Sequence, residues 1–313
     1  MIEYQADCNF WFKLKQPILA LAPMAGVTDS AFRQICKKHG ADVVYSEMIS
    51  AAAIVYNSKK TTELMKFNKL ERPYVIQLFG SKPEHFAEAA KFITKKIKPD
   101  GLDINFGCPV KKVARQGAGA ALMNDIKLAR LIIKATIDNT NLPVSIKIRA
   151  EVGQTTALDF LKNLSDLEIK AVMIHGRTLA QGHSGPINFK IIKQAREYFK
   201  GIILANGGVK DEKTAEELLI ATDADGIGIG RGALGKPWIF KQLRINNCEL
   251  RIKDIHKVAL EHARLAYKLK GNQGIIEMRK HLCWYLTGLP NASELRKELV
   301  KVENLNDIKK ILN

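Results

Sequence analysis

The chain has 313 residues, 46% of them hydrophobic, with 49 Lys+Arg against 32 Asp+Glu and a formal charge of +17. That apolar content supports one large packed domain or two ordinary ones and excludes a low-hydrophobicity disordered chain. The longest apolar stretch, near 17–27, is too short to cross a bilayer, and residues 1–16 do not read as a secretory leader, so the expectation is a cytoplasmic protein without a membrane segment.

Short apolar runs alternate with longer amphipathic segments. The runs predict strands at 18–22, 42–48, 74–79, 101–105, 144–149, 171–175, 202–205 and 226–229. Between them the periodicity predicts helices at 30–39, 83–97, 125–137, 156–167, 187–199 and 211–221. Strand–helix alternation implies βαβ units and a parallel sheet. Eight strands in about 230 residues match an α/β fold of the (β/α)8 TIM-barrel kind rather than a doubly wound sheet. Beyond Trp238-Ile239-Phe240 no β run follows, and 252–269, 275–286 and 292–304 read as helices before a short tail. The expected division is a barrel at 1–245 and a small C-terminal all-helical domain at 246–313. The latter carries thirteen basic and eight acidic residues, so the positive charge is shared by both parts.

Strand parity selects the chemistry. Alternate strand residues face opposite sides, and barrel sites collect at C-terminal strand ends. In 74–79, Tyr74, Ile76 and Leu78 leave Gln77 on the other face; in 101–105, Leu102 and Ile104 alternate with Asp103 and Asn105. Val144, Ile146 and Ile148 alternate with Ser145, Lys147 and Arg149, while Val172 and Ile174 face away from His175. A lone inward polar group is usually a satisfied core residue. Four successive strands bringing Gln, Asn, Lys and His inward mark a polar ligand site.

Asn206-Gly207-Gly208 follows the seventh strand and Gly230-Arg231-Gly232 the eighth. Either cluster alone could be a turn; together, in this order, they favour phosphate, which barrels bind with the loops after strands 7 and 8. Lys147 then suits a cation beside the electron-rich ring of a flavin. The five cysteines contain no C-x-x-C, which argues against a disulfide scaffold and structural zinc. Cys36, Cys248 and Cys283 read as inert. Cys108 is held between Gly107 and Pro109 on the active face, as a nucleophile or as an acid for a carbon that needs a proton.

The run DINFGCPVKKVARQGAGAALM (103–123) closely resembles the tRNA-dihydrouridine synthases, together with LAPMAGVTDSAFR (21–33), YSEMIS (45–50), VSIKIR, IHGRT, LANGG and GIGIGRGALGKPWIF. The resemblance covers nearly the whole chain, and RKHLCWYL (279–286) is most like the bacterial B-type branch. It implies an FMN-binding barrel with a C-terminal domain that grips tRNA, acting as a monomer without metal. NADPH, or NADH, reduces FMN; hydride passes from flavin N5 to C6 of a D-loop uridine, position 17 favoured, and a cysteine protonates C5. Cys108 matches that proton donor. Pro23, Met24, Ala25, Gln77, Lys147, His175, Asn206, Gly207, Gly208, Gly230 and Arg231 match cofactor-binding positions, and Asn105 and Arg177 match substrate-side ones. Three places depart from the family pattern: Ala150-Glu151 after the lysine strand, Gly208 where aspartate is common, and His183 where tyrosine is common.

A base inside folded tRNA must be extruded, and basic side chains can supply the binding energy. Lys111, Lys112, Arg115, Arg279, Lys280, Arg296 and Lys297 are candidates, each also readable as a solvated surface charge. Trp284 and Tyr285 could stack on bases or lie buried on a helix face. Two other readings fit the same barrel: an FMN oxidoreductase of a free pyrimidine, such as a dihydroorotate dehydrogenase, and a non-catalytic tRNA-binding protein.

Overall fold

Residues that alternate in the sequence separate into two apolar layers in space. The computed structural model describes residues 9–245 and 251–312. Its strands are β1 (Ile18–Leu21), β2 (Val43–Ser50), β3 (Tyr74–Phe79), β4 (Gly101–Asn105), β5 (Val144–Val152), β6 (Thr155–Thr156), β7 (Ala171–Thr178), β8 (Ile202–Asn206) and β9 (Gly226–Ile229). The sheet runs β4-β3-β2-β1-β9-β8-β7-β5 and closes through β4–β5, all parallel; β6 folds back antiparallel on the end of β5. Among the described residues this is an eight-stranded (β/α)8 barrel. Leu19, Val44, Ile76, Ile104, Ile146 and Ile174 point outward into the layer shared with the helices. Ile18, Ala20, Val43, Tyr45, Val75, Met173 and Leu204 fill the interior with Trp11, which is 1% exposed.

The helices are α1 (Ser30–Lys38), α2 (Ala51–Val55), α3 (Lys59–Leu64), α4 (Pro83–Phe92), α5 (Lys111–Ala114), α6 (Ile126–Ile137), α7 (Ala157–Lys162), α8 (Phe189–Gln194), α9 (Glu212–Thr222), α10 (Ile239–Gln242), α11 (Ile252–Tyr285), α12 (Ala292–Leu299) and α13 (Leu305–Leu312). Their starts carry the expected signals. Asp29, Asp125, Thr156 and Asp211 accept N-terminal amide hydrogens of α1, α6, α7 and α9, and Pro83 opens α4. Several extents differ from the sequence reading. The 83–97 segment changes to a π-helical turn over Ile93–Ile97, and the 187–199 segment tightens to a 3-10 turn after Gln194. The connection after β2 contains α2 and α3, each started by a serine cap, Ser50 and Ser58.

The two expected helices at 252–269 and 275–286 are two helical segments meeting at a kink at Gly271 (φ 58°, ψ −144°), labelled together as α11. The expected tail is α13, whose Ile308 and Leu312 are buried. These C-terminal helices gather around Val258, Ala263, Ile275, Leu282 and Leu299, and the same cluster takes in Ala31, Ile35 and Trp238 from the barrel. The expected boundary at 245/246 adjoins residues 246–250, which with Cys248 lie outside the described residues. No helix among the described residues is long and apolar enough to cross a membrane.

Candidate active site

The parallel register brings the inward polar residues to the C-terminal end of the barrel. Gln77 pairs with Asp103 across β3–β4, and Asn105 with Lys147 across β4–β5. Arg149, His175, Asn206 and Gly228 follow one another across β5, β7, β8 and β9.

On the β3–β5 side every polar group finds a partner. Ser145 Oγ donates to Asp103 Oδ1 (2.6 Å), Gln77 Nε2 to Asp103 Oδ2 (2.7 Å) and Asn105 Nδ2 to Gln77 Oε1 (2.8 Å). Asn105 Oδ1 accepts the amide hydrogens of Gly107 (3.1 Å) and Cys108 (2.9 Å), an Asx-type turn that fixes the loop after β4. Asn105 Nδ2 also contacts Met48 Sδ at 3.2 Å. Both amide hydrogens of Asn105 therefore have acceptors, and only the weak sulfur contact is readily exchanged for a ligand.

Cys108 is 7% exposed and packs with Val113, Ala118, Met48 and Phe79. Burial pushes its thiol up, partly offset by the Val110 amide, Arg149 and Lys147, so it stays protonated at neutral pH. Lys147 donates from Nζ to Asn206 Oδ1 (3.0 Å), whose Nδ2 donates to the carbonyl of Gly228 (2.6 Å). Burial, then the neighbouring Arg149, bring the Lys147 ammonium down to about 8. Burial holds the Asp103 carboxyl up at about 6.

The β7–β9 side is cationic and incomplete. Arg177 Nε donates to the carbonyl of Gly185 (2.8 Å), but its buried Nη1 has no partner, and neither has His175 Nδ1. Burial and the flanking Lys147, Arg149 and Arg177 hold His175 neutral, down to about 2. Gly207 sits against both. A Cβ there would lie 2.7 Å from Ile187 Cδ1, 3.4 Å from His175 Nε2 and 3.6 Å from Arg177 Nη1, and its φ of 117° is one that side chains avoid. The backbone at this turn is thus packed closely against Ile187, His175 and Arg177, and position 207 requires glycine. Arg231 Nη2 donates to the carbonyl of His183 (2.9 Å), and the His183 ring meets His175 edge-on at 6.0 Å. Gly208 (φ 77°) is tight as well, since a Cβ would reach 3.3 Å from Ile187.

The loop with Pro23, Met24 and Ala25 follows β1. Met24 is tied to Thr28 through both backbone groups, and Gly230 lies 3.5 Å from Met24 Sδ by its would-be Cβ. Gly26 is clamped from two sides: Glu47 accepts its amide hydrogen, and Lys280 of α11 donates to its carbonyl. Below the loop, buried Arg33 pairs with buried Glu71 (2.6 Å) and donates to the Thr28 carbonyl (2.7 Å).

Of the site residues read from the sequence, the structure links Gln77 with Asn105 and Cys108, Lys147 with Asn206, Gly207 with His175 and Arg177, and Met24 with Gly230. Sequence reasoning left Asp103, Arg149 and Glu47 without roles. Arg149 joins Gly107, Thr178 and Gly182 through their carbonyls (2.8, 3.0 and 2.9 Å). Of the candidate polyanion contacts, Arg279 binds the Val302 carbonyl, Arg296 the Cys283 carbonyl and Lys280 the Gly26 carbonyl, whereas Lys111, Lys112 and Arg115 are exposed beside Cys108. Tyr285 is buried against Trp238 and His262; Trp284 lies edge-on to His281.

A protein-family model described as Dihydrouridine synthase (Dus) matches residues 20–313. The chain is 35% identical over 301 residues to a "Probable tRNA-dihydrouridine synthase" of Aquifex aeolicus, with 95% of each chain covered. It is 34% identical to tRNA-dihydrouridine synthase B of Pseudomonas syringae pv. tomato, covering 91% of this chain and 87% of the relative. Among solved structures, it superposes on histamine dehydrogenase from Rhizobium sp. 4-9 with a TM-score of 0.53 at 13% identity, over 79% of this chain and 48% of the other. A 6-hydroxypseudooxynicotine amine oxidase from Pseudomonas geniculata N1 gives 0.54, also at 13%, over 72% and 46%. At that identity the likeness is one of barrel fold alone.

Proposed function

The chain belongs to the dihydrouridine synthase family, and on that premise we propose that it is an FMN-dependent tRNA-dihydrouridine synthase. The reaction is reduction of the C5=C6 bond of a D-loop uridine with NADPH or NADH as electron source. The observation that carries this reading is the division of the barrel mouth, with a protonated, positioned Cys108 on one side and, on the other, Arg177 and His175 with buried nitrogens that have no protein partner.

The donor set fits a flavin phosphate. Arg177 and Arg231 donate to carbonyls rather than to carboxylates, and the Gly207-Gly208 turn lies beside Arg177, which suits a dianion. Lys147, Gln77, His175, Asn206 and the 23–25 turn would hold the ring. When bound, the reduced flavin supplies the hydride that adds to uracil C6.

The chain's own residues do the rest. Cys108 Sγ–H breaks as the new C5–H bond forms, and the bonding pair left on sulfur is stabilised by the Arg149 and Lys147 cations. Asn105 keeps the thiol in place by pinning the Cys108 amide. Arg149 ties the Cys108 loop to the β7 loop, so the acid and the cofactor wall move as one body. Lys111, Lys112 and Arg115 offer phosphate contacts at the rim, and α11–α13 form the proposed tRNA-gripping domain at 246–313.

The test is dihydrouridine formation, by mass spectrometry, on tRNA purified from cells that lack this protein. Cys108→Ala should keep its flavin and its reduction by NADPH while product formation falls about 10²-fold or more, the usual contribution of a positioned acid. Undiminished single-turnover yield would remove Cys108 from the role. Orotate oxidising the reduced protein faster than tRNA would favour the free-pyrimidine enzyme instead.

A further inference from the structure

Asp103 lies fully buried on β4, two residues before Asn105. Its carboxylate begins a run of hydrogen bonds that ends at the Cys108 amide. A carboxylate can only accept, so Gln77 must turn Nε2 toward Asp103 and Oε1 toward Asn105. Asn105 must then turn Nδ2 toward Gln77, which leaves Oδ1 facing the amides of Gly107 and Cys108. Reversing either amide would set oxygen against oxygen or N–H against N–H in a buried, low-dielectric place.

We propose that Asp103 is a positioning residue for the Cys108 step: it begins the run of matched donors and acceptors, Asp103–Gln77–Asn105, that holds the Cys108 backbone, so a mismatch between the groups at 103 and 105 releases it. This rests on Cys108 as the proton donor. Ser145 completes the arrangement because its hydroxyl can donate or accept, and Lys147 and Tyr45 are the titratable groups that face Asp103.

The direction can be tested by reversing it. In Asn105→Asp, acceptors meet at both ends of Gln77. In the swap D103N/N105D, Gln77 flips: Nε2 donates to the carboxylate at 105, and Oε1 accepts from the amide at 103. Ser145 then donates to the remaining oxygen at 103, and the Gly107 and Cys108 amides keep their acceptor. Asp103→Asn alone is compatible with the original direction, with Ser145 accepting.

The flavin-loaded protein is used, with two readouts: thermal unfolding, and the alkylation rate of Cys108 by iodoacetamide resolved by peptide mass mapping. N105D should lower Tm by about 5–10 °C, D103N by no more than about 2 °C, and the swap should recover more than half of the N105D loss. Cys108 alkylation should shift about tenfold in N105D and return to within about threefold of wild type in the swap. If N105D does not fold, recovery of folded, flavin-loaded protein by the swap is the same rescue. An N105D protein matching wild type, or a swap no better than N105D, overturns the proposal. Neither readout needs tRNA turnover, so a wild-type protein that made no dihydrouridine would end the functional reading while the swap still judged Asp103.

Discussion

The two sides of the barrel mouth obey opposite rules. On β3–β5, Ser145, Asp103, Gln77, Asn105 and the Cys108 amide bind one another, and the Asn105 contact to Met48 Sδ is the weak one a ligand can replace. On β7–β9, Arg177 and His175 each keep a buried nitrogen without a partner, next to a glycine turn that no side chain could occupy. Satisfied buried polar groups give rigidity, and unsatisfied ones are costly unless something binds them. On the proposed reading the first side positions the acid and the second holds the flavin phosphate. Mutations on the two sides should therefore separate stability from ligand affinity.

The largest effect is expected on the saturated side. Gln77→Leu leaves one Asp103 oxygen and an Asn105 N–H unpaired inside the barrel, and removing one partner of a buried charge destabilises by about 3–5 kcal/mol. Urea unfolding of the flavin-free protein measures it. A loss below about 1 kcal/mol would mean the relay adds little rigidity.

The β7–β9 side should respond in the opposite sense. Arg177→Met removes an orphaned donor, so the flavin-free protein should unfold at the same urea concentration as wild type or higher. FMN affinity should fall about 10- to 100-fold, the value of one hydrogen bond to a charged group. If stability drops and affinity does not, Arg177 is a structural tie to Gly185 and the contrast between the two sides fails.

The contrast was half legible in the sequence. Period-2 alternation identified the inward faces of β3, β4, β5 and β7 and so selected Gln77, Asn105, Lys147 and His175. It showed which face a residue lies on, never which atom it meets. Asp103 and Arg149 stood on the same inward faces and received no role, because their partners, Gln77 and the Gly107 carbonyl, come from neighbouring strands and loops. Glu47 was hidden for a different reason: the β2–β3 register shifts between Tyr45 and Met48, which breaks the alternation where the residue points to the 23–28 loop. Helices α2 and α3, of five and six residues, are too short to display a helical period and start at serine caps instead.

Lys147 stands where the two sides meet, donating to Asn206 and charge-coupled to Asp103, and its titration should show the smallest of these effects. Its ammonium falls to about 8, so the cation present at pH 7 is largely gone at pH 9. Its neighbours hold constant over that range: Arg149 stays cationic, His175 stays neutral, Asp103 is ionised above about 6, and the buried Cys108 thiol is pushed up. FMN affinity should therefore weaken about tenfold from pH 7 to 9, and the weakening should vanish in Lys147→Met. Stability of the flavin-free protein has the opposite slope. The folded value of about 8 lies below the ordinary lysine value of about 10.4, so between them the unfolded chain binds more protons and the folded state gains stability as pH rises. Fluorescence titration of FMN and urea unfolding across the same pH series measure both slopes. Affinity that ignores pH while stability follows it would place Lys147 in the barrel wall and out of reach of the cofactor.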